Sequence, residues 1–409
     1  MAMKTDLLQY LVRGRAAMIA PPVKPARDLR IDIVRGLALM IIFIDHMPGN
    51  VISGFTPHAY GFSDAAEMFV FLSGISAALA YGRVIDGQGI AAGAVKVFGR
   101  MRTLYVAHLA VFLAVVALVA VAVEKTSNPL YLETINITPV LADPLKALRE
   151  VLALVYQPNY LDILPLYVLL LGAFPLVHLA VRLSPVATVI ASIVLWRFAA
   201  ATDLNLPNGS GGWMFNPFAW QVVFVVGVVI GYGMRADTSL EAAPRRTLDI
   251  AAVAMVAFSA IVMLSPVNPF AFLGQHIADL SLGTDKSNLE PVRFLHLLAV
   301  AWLFIRLVPA DATFLKHPAA TALARAGSHS LEVFCAGTVL SILGQVVLAE
   351  TAYHVFVQLL VCAVGVSVLL TLGNILTWTR SLSKVDSPRA AGISAAPATG
   401  PVSRSPSSA

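Results

Sequence analysis

Residues 30–50 read RIDIVRGLALMIIFIDHMPGN, and the fold class turns on how that stretch is understood. An unbroken apolar run from Leu37 to Ile44 is bracketed by Asp32 and Arg35 on one side and by Asp45 and His46 on the other. Comparable runs, near the ~20 residues that span a bilayer, recur at 65–86, 97–123, 161–181, 184–201, 217–234, 247–265, 291–309, 329–349 and 354–378. The 409-residue chain is 58% hydrophobic and 12% charged, with a mean hydropathy of +0.79, whereas a soluble domain carries about a quarter charged residues. The reading is an all-α, polytopic transmembrane bundle of about ten helices. Residues 1–28 form an N-terminal tail, 29–380 one membrane domain, and 381–409, rich in Ser, Pro and Ala, a disordered tail.

Charge distribution orients the bundle. Of the 28 Lys and Arg residues, only Lys125, Lys146, Arg149, Arg197, Lys286 and Arg293 fall on one side of the expected spans, and Arg35 lies inside the first. The positive-inside rule then makes both termini cytoplasmic and the number of spans even. The basic residues sit in short clusters between apolar runs rather than on one stripe, which argues against nucleic acid despite a net charge of +5. Cys335 and Cys362 each lie within an apolar run, without metal-ligand spacing, so neither a disulfide framework nor a metal site is expected. The N-terminus has no cleavable signal pattern. In the long outer segment 124–160, Leu145, Leu148, Leu152 and Val155 have helical spacing and predict an amphipathic helix over 143–156 on the membrane surface. No internal repeat is evident.

An ionisable side chain at the centre of a span costs roughly 2.5–3.5 kcal/mol even on lenient scales, so each one needs a reason. Arg35 and His46 are eleven residues apart, which on an α-helix is three turns plus roughly 20° and about 16.5 Å of rise. They share a face at different depths, Arg35 near the cytoplasmic side and His46 near the outer side. A cation at one end and a base at the other match a long ligand such as coenzyme A, with phosphates at one end and a thioester at the other. The plainer account, of equal weight on these residues alone, has Arg35 snorkelling beside Asp32 and His46 capping a helix end at the interface.

The stretch GFSDAAEMFVFLSG, 61–74, supplies further groups. Asp64 followed by Glu67 suits an N-terminal capping box. Glu67 also falls at the depth of His46, where its carboxylate could accept the ring N–H and fix the tautomer. Asp162, Asn216, Gln221, Arg293 and His296 lie at similar depth, each equally readable as interfacial, and Arg293 and His296 share a helical face. On the inner side, Arg100 and Arg102 precede Tyr105 and His108, while Arg325 and His329 open a later span; they are topology signals first, and phosphate or adenine contacts if a nucleotide-like ligand enters there. Gly74, Gly227 and Gly231 permit close helix packing, within one chain or between copies in a homo-oligomer.

RDLRIDIVRGLALMIIFIDHMPGN, GFSDAAEMFVFLSG, YQPNYLDILPLY, FNPFAWQVVF and SHSLEVF, spread over 27–334, carry a resemblance to the OpgC-type membrane succinyltransferases that modify osmoregulated periplasmic glucans. More broadly the chain resembles membrane acyltransferase family 3 and the transmembrane acetyltransferases of lysosomal heparan type. The resemblance implies a bacterial inner-membrane enzyme embedded in lipid. It would move an acyl group, succinyl for this subgroup, from cytoplasmic acyl-CoA to a sugar hydroxyl of a periplasmic glucan, with no metal. The wider family's arginine and histidine, separated by ten residues, match Arg35 and His46, and that histidine is the family's catalytic residue. The expected catalytic group is therefore His46 with Glu67 and Asp45. Arg35, Arg100, Arg102, Asp162, Arg293, His296 and His329 are expected to bind substrate, Arg293 through the free succinyl carboxylate or a ring hydroxyl. The rival classes are a transporter or flippase of an envelope glycan or small anion, with Asp32, Arg35, Asp45 and His46 lining its path, and a non-catalytic partner in glucan assembly.

Overall fold

The computed structural model describes residues 28–209, 211–235, 245–264 and 285–385. Among them, ten helices have 17 residues or more and coincide with the ten apolar runs: α1 (Leu29–Asp45), α2 (Ala65–Gln88), α3 (Ile90–Thr126), α7 (Ile163–Leu183), α8 (Pro185–Thr202), α9 (Pro217–Arg235), α10 (Arg245–Leu264), α11 (Pro291–Leu307), α13 (Ser330–Glu350) and α14 (Val355–Val385). Short helices fill the connections: α4 (Leu130–Thr134), α5 (Thr138–Ala142), α6 (Pro144–Leu152) and α12 (Pro318–Ser328). Eight of the ten are long and apolar enough to cross a membrane. The other two, α1 and α11, have 17 residues each, or about 25 Å of rise. The chain is a multi-pass membrane protein.

Contacts between distant residues sort the long helices into an alternating, two-ended bundle. At one end, Arg30 donates to the Val308 carbonyl (2.8 Å), Arg306 pairs with Asp249, and Arg325 donates to Asn374 (2.9 Å). At the other, Gln345 donates to the His46 carbonyl, the Val51 N–H donates to Gln358 (2.7 Å), and Asn216 donates to Asn288 (2.9 Å). The first end carries most of the arginines, as the charge pattern requires.

Two close crossings set the middle of the bundle. A Cβ on Gly74 would collide with the Phe224 carbonyl, and one on Gly227 with the Phe71 carbonyl, so α2 and α9 meet backbone to backbone. Gly227 and Gly231 therefore pack within this chain, against α2. Gly36 and Gly327 do the same for α1 and α12, facing the Leu323 and Asp32 carbonyls. Such contacts replace large side chains with dense van der Waals packing where lipid offers no hydrophobic drive. Helices α2 and α9 are the most enclosed, 61% buried over their apolar windows against 11% for α10. Outward residues such as Leu113, Leu176, Ile190, Phe198, Ile261 and Val364 present an apolar belt.

Several sequence expectations shift. Helix α3 starts at Ile90, so its 37 residues extend well beyond the 97–123 run. The surface helix ends at Leu152 rather than 156, because Leu154 takes a left-handed φ of 58° and ends the turn. Ala147 and Val151 point inward, leaving Leu145, Leu148 and Leu152 exposed. Helix α14 continues to Val385, past the expected boundary at 380. The rest of the expected C-terminal tail, and all of the N-terminal tail before Asp28, lie outside the described residues.

Candidate functional site

His46 stands immediately after α1 as its C-cap, with φ −77° and ψ 5°, and its backbone N–H still bonds back to the Ile42 carbonyl (3.0 Å). It packs against the Tyr160 ring at 4.8 Å between centroids. Its Nδ1 is buried and has no hydrogen-bond partner among the described residues. A buried nitrogen left unpaired costs about 1–3 kcal/mol, so such groups in a native fold call for an explanation. The imidazole is also within electrostatic reach of Lys286 and Asp64.

Those two residues belong to a buried ionic cluster at the first turn of α2. Asp64 caps the helix by accepting from the Ala66 N–H (2.8 Å), and Glu67 accepts from the Asp64 N–H (2.9 Å), completing a capping box. The same carboxylates hold cations: Asp64 Oδ2 takes Lys286 Nζ at 2.7 Å and Arg293 Nη2 at 3.2 Å, and Glu67 Oε1 takes Arg293 at 2.6 and 2.7 Å. Burial alone would raise the Asp64 carboxyl, but Lys286 and Arg293 outweigh it and hold the group well below the usual carboxylate range. Lys286 shows the mirror effect: burial opposes its charge, and Asp64, then Glu67, overcome that and raise it. Beside the cluster, the Ser63 N–H (3.2 Å) and hydroxyl (2.7 Å) reach His296 Nδ1. An Nδ1 that accepts leaves the ring proton on Nε2.

Neither Glu67 nor Asp45, both expected to act with His46, bonds to its ring. Glu67 does not accept its ring N–H, because both Glu67 oxygens are engaged by Arg293 and the Asp64 N–H. Asp45, though adjacent in sequence, turns to the Thr56 hydroxyl (2.7 Å) and to His58 Nδ1 (3.2 Å). Asp162, at the start of α7, makes no cap bond and lies in the field of Lys286. Asn216 and Gln221 are structural: Asn216 ties 204 to 288, and Gln221 bonds Ser192.

Toward the arginine-rich end, Arg35 opens onto a cavity of about 240 Å³ lined also by Phe69, Ser73, Ser76, Tyr81, Arg100 and Tyr167. Arg35 donates to the Ser76 hydroxyl and the Gly327 carbonyl and stands 3.6 Å from Asp32, so the expected pairing with Asp32 coexists with the cavity. Arg100 lines the same space with no ion pair or hydrogen bond among the described residues. Arg102 points to the exposed side of α3 and is not part of the lining. His329 is buried at the α12–α13 junction, between Ser328 and Ser330, which do line it. The lining stripe of α2 from Tyr81 to Phe69 covers about 18 Å of helix and ends two residues short of Glu67. His46 is not among the lining residues. The 160–167 segment links the two levels, since Tyr167 borders the Arg35 cavity and Tyr160 packs on His46.

Sequence reading left Lys286 among the loop cations. Its scarcity was the available signal, because few cations fall on that side of the spans.

No curated protein and no solved structure matches this chain. The sequence model described as OpgC protein matches residues 27–381, which takes in both polar levels and all the long helices but the last turn of α14, and the chain belongs to that family.

Proposed function

We propose that this protein is an acyl-CoA-dependent O-acyltransferase of the bacterial inner membrane that succinylates a periplasmic glucan, with ten spans and both termini cytoplasmic. Membership of the OpgC family points to glucan modification by acyl transfer. The observation that carries the residue-level reading is the unpaired, buried Nδ1 of His46 beside Tyr160, one helix length from the Arg35 cavity. A ring nitrogen without a protein partner can accept a hydrogen bond from a substrate, and a sugar hydroxyl supplies one.

In this reading the donor enters at the arginine-rich end, its phosphates on Arg35 and Arg100, and its arm follows the α2 stripe toward His46. The acceptor arrives from the opposite end. His46 takes the hydroxyl proton as the oxygen attacks the thioester carbonyl; the tetrahedral adduct collapses, the C–S bond breaks, and the proton passes to the departing sulfur. Arg293 and Glu67 neutralise each other and brace α2 against α11, rather than serving the imidazole directly. Lys286 replaces Arg293 as the group for the free succinyl carboxylate. Its side chain is 27% exposed against 9% for Arg293, and only one of its three donors is used, on Asp64.

The decisive experiment is His46→Ala in cells and as purified protein. General-base catalysis contributes roughly 10²–10⁴-fold, so glucan succinylation read by mass spectrometry falls by that factor while the chain still inserts and elutes as a folded species. Undiminished succinylation by a folded variant refutes the mechanism. A transporter would pass label across the bilayer without forming an ester, which the same mass spectra distinguish.

A further inference from the structure

The arginine-rich end holds a second polar cluster, on the side of α2 that faces α7 and α9 rather than the Arg35 cavity. Asp86 receives Arg182 through Nε (3.1 Å) and Nη2 (2.5 Å), and Arg235 through Nη2 (2.6 Å). Both guanidiniums also lie over the Tyr232 ring, at 5.4 and 5.0 Å from its centroid. His178 touches the same two groups, with Nε2 3.6 Å from Asp86 and Nδ1 on the Tyr232 hydroxyl. Arg83, one turn before Asp86, lies within electrostatic reach of Arg235. Two guanidiniums thus share one carboxylate, with a third close to one of them.

The donors are not used up. The Arg235 side chain is only 5% exposed, yet neither its Nε nor its Nη1 has a hydrogen-bond partner among the described residues. The Nε of Arg83 is buried and unpartnered as well. Arginine N–H groups enclosed without acceptors are costly, and an excess of two positive charges in one place is costlier still. An anion with several oxygens would relieve both, and phosphate matches forked guanidinium donors best. Arg182, 25% exposed, marks the open side of the cluster.

We propose that Arg83, Arg182 and Arg235 form a phosphate-binding site at the ends of α2, α7 and α9. It takes a phosphate group presented at the membrane–water boundary, from a phospholipid headgroup or a water-soluble phosphorylated molecule. The site stands independently of the acyl-transfer reading.

The test uses the full chain purified in an uncharged detergent, with thermal denaturation followed as sodium pyrophosphate or phosphatidylglycerol is added, against sodium chloride at matched ionic strength. A saturable rise in the midpoint with pyrophosphate identifies a soluble phosphate, one with phosphatidylglycerol a headgroup, and one with both a site open to either. Arg83→Gln breaks no ion pair, so it folds, and it moves the half-saturating concentration up by about tenfold, as loss of one charge-assisted hydrogen bond implies. Arg235→Lys keeps the charge on Asp86 but weakens binding likewise, while Arg35→Gln leaves it intact. The proposal is overturned if neither probe acts beyond chloride, or if Arg83→Gln and Arg235→Lys respond as the wild type does.

Discussion

Lys286→Met separates the chemistry of the acyl group from the chemistry of transfer. The substitution keeps the length and most of the apolar stem of the side chain and removes the ammonium. Asp64 retains Arg293 at 3.2 Å and its cap bond to the Ala66 N–H, so the first turn of α2 keeps two of its three partners and folding should survive. What is lost is a cation for the succinyl carboxylate. A hydrogen bond to a charged group contributes about 1.5–3 kcal/mol, and the partial exposure of Lys286 places the value at the lower part of that range through solvent screening. About 1.4 kcal/mol is tenfold, so preference for succinyl-CoA over acetyl-CoA should fall by roughly ten- to thirtyfold. The assay is competition: purified protein in proteoliposomes receives both donors at equal concentration with a neutral glucan, and the succinyl-to-acetyl product ratio is read by mass spectrometry. Because the two products come from one enzyme preparation, a general loss of activity cancels from the ratio. An unchanged ratio removes Lys286 from the succinyl site, and a ratio that rises would mean that the ammonium repels rather than holds the donor.

Other substitutions probe the remaining parts. Arg35→Ala and Arg100→Ala should each raise the KM for acyl-CoA by about tenfold or more with little change in kcat, as loss of uniform donor binding does; a kcat effect alone would contradict their assignment. Glu67→Gln leaves Arg293 with Asp64 as its carboxylate in the cluster and should destabilise by about 2–3 kcal/mol, somewhat below the 3–5 kcal/mol for fully stranding a buried charge, seen as a lower denaturation midpoint in detergent. Gly327→Ala forces a methyl against the Asp32 carbonyl and should cost about 1–3 kcal/mol by overpacking, with an unchanged midpoint showing that α1 and α12 are looser than described. The Asp64–Lys286 pair also sets a pH window. Asp64 is depressed, so its contribution is complete above about pH 4 and lost only as pH falls through its lowered folded value; Lys286 is raised, so its share is complete below about pH 10 and lost as pH climbs through its folded value. The difference in midpoint between wild type and Asp64→Asn should therefore shrink as pH falls below about 4 and as it climbs above about 10, and a difference that is the same at both extremes would remove the pair from the stability of this end.

The long helices were legible because each must be apolar over nearly its whole length, a demand that leaves little room for ambiguity in lipid. What escaped was held by other forces. Helix α12, PAATALARAGS, is too short to span and has almost no large apolar residues, yet it packs closely on α1 because Gly36 and Gly327 let the backbones meet. A contact made by the absence of side chains leaves no hydrophobic pattern. Helices α4 and α5 escaped for a related reason: five residues each are too few for a periodicity to register.

The site divides the same way. The Arg35–His46 spacing is a property of one helix, so it could be computed from 100° and 1.5 Å per residue before any tertiary structure was known, and α1 supplies the regular geometry that the calculation assumed. Which carboxylate meets which cation is a property of three segments, around residues 64, 286 and 293, and no local rule links them. Adjacency in sequence offered Asp45 to His46, and an expected common depth offered Glu67. Electrostatics decided otherwise: a carboxylate as buried as Glu67 must be neutralised, Arg293 does so with two charge-assisted bonds, and a neutral imidazole cannot compete for it. With Glu67 and Asp45 bound elsewhere, neither carboxylate holds the His46 ring, and its Nδ1 has no partner among the described residues. In the proposed transfer, that nitrogen takes its hydrogen bond from the incoming hydroxyl rather than from the protein.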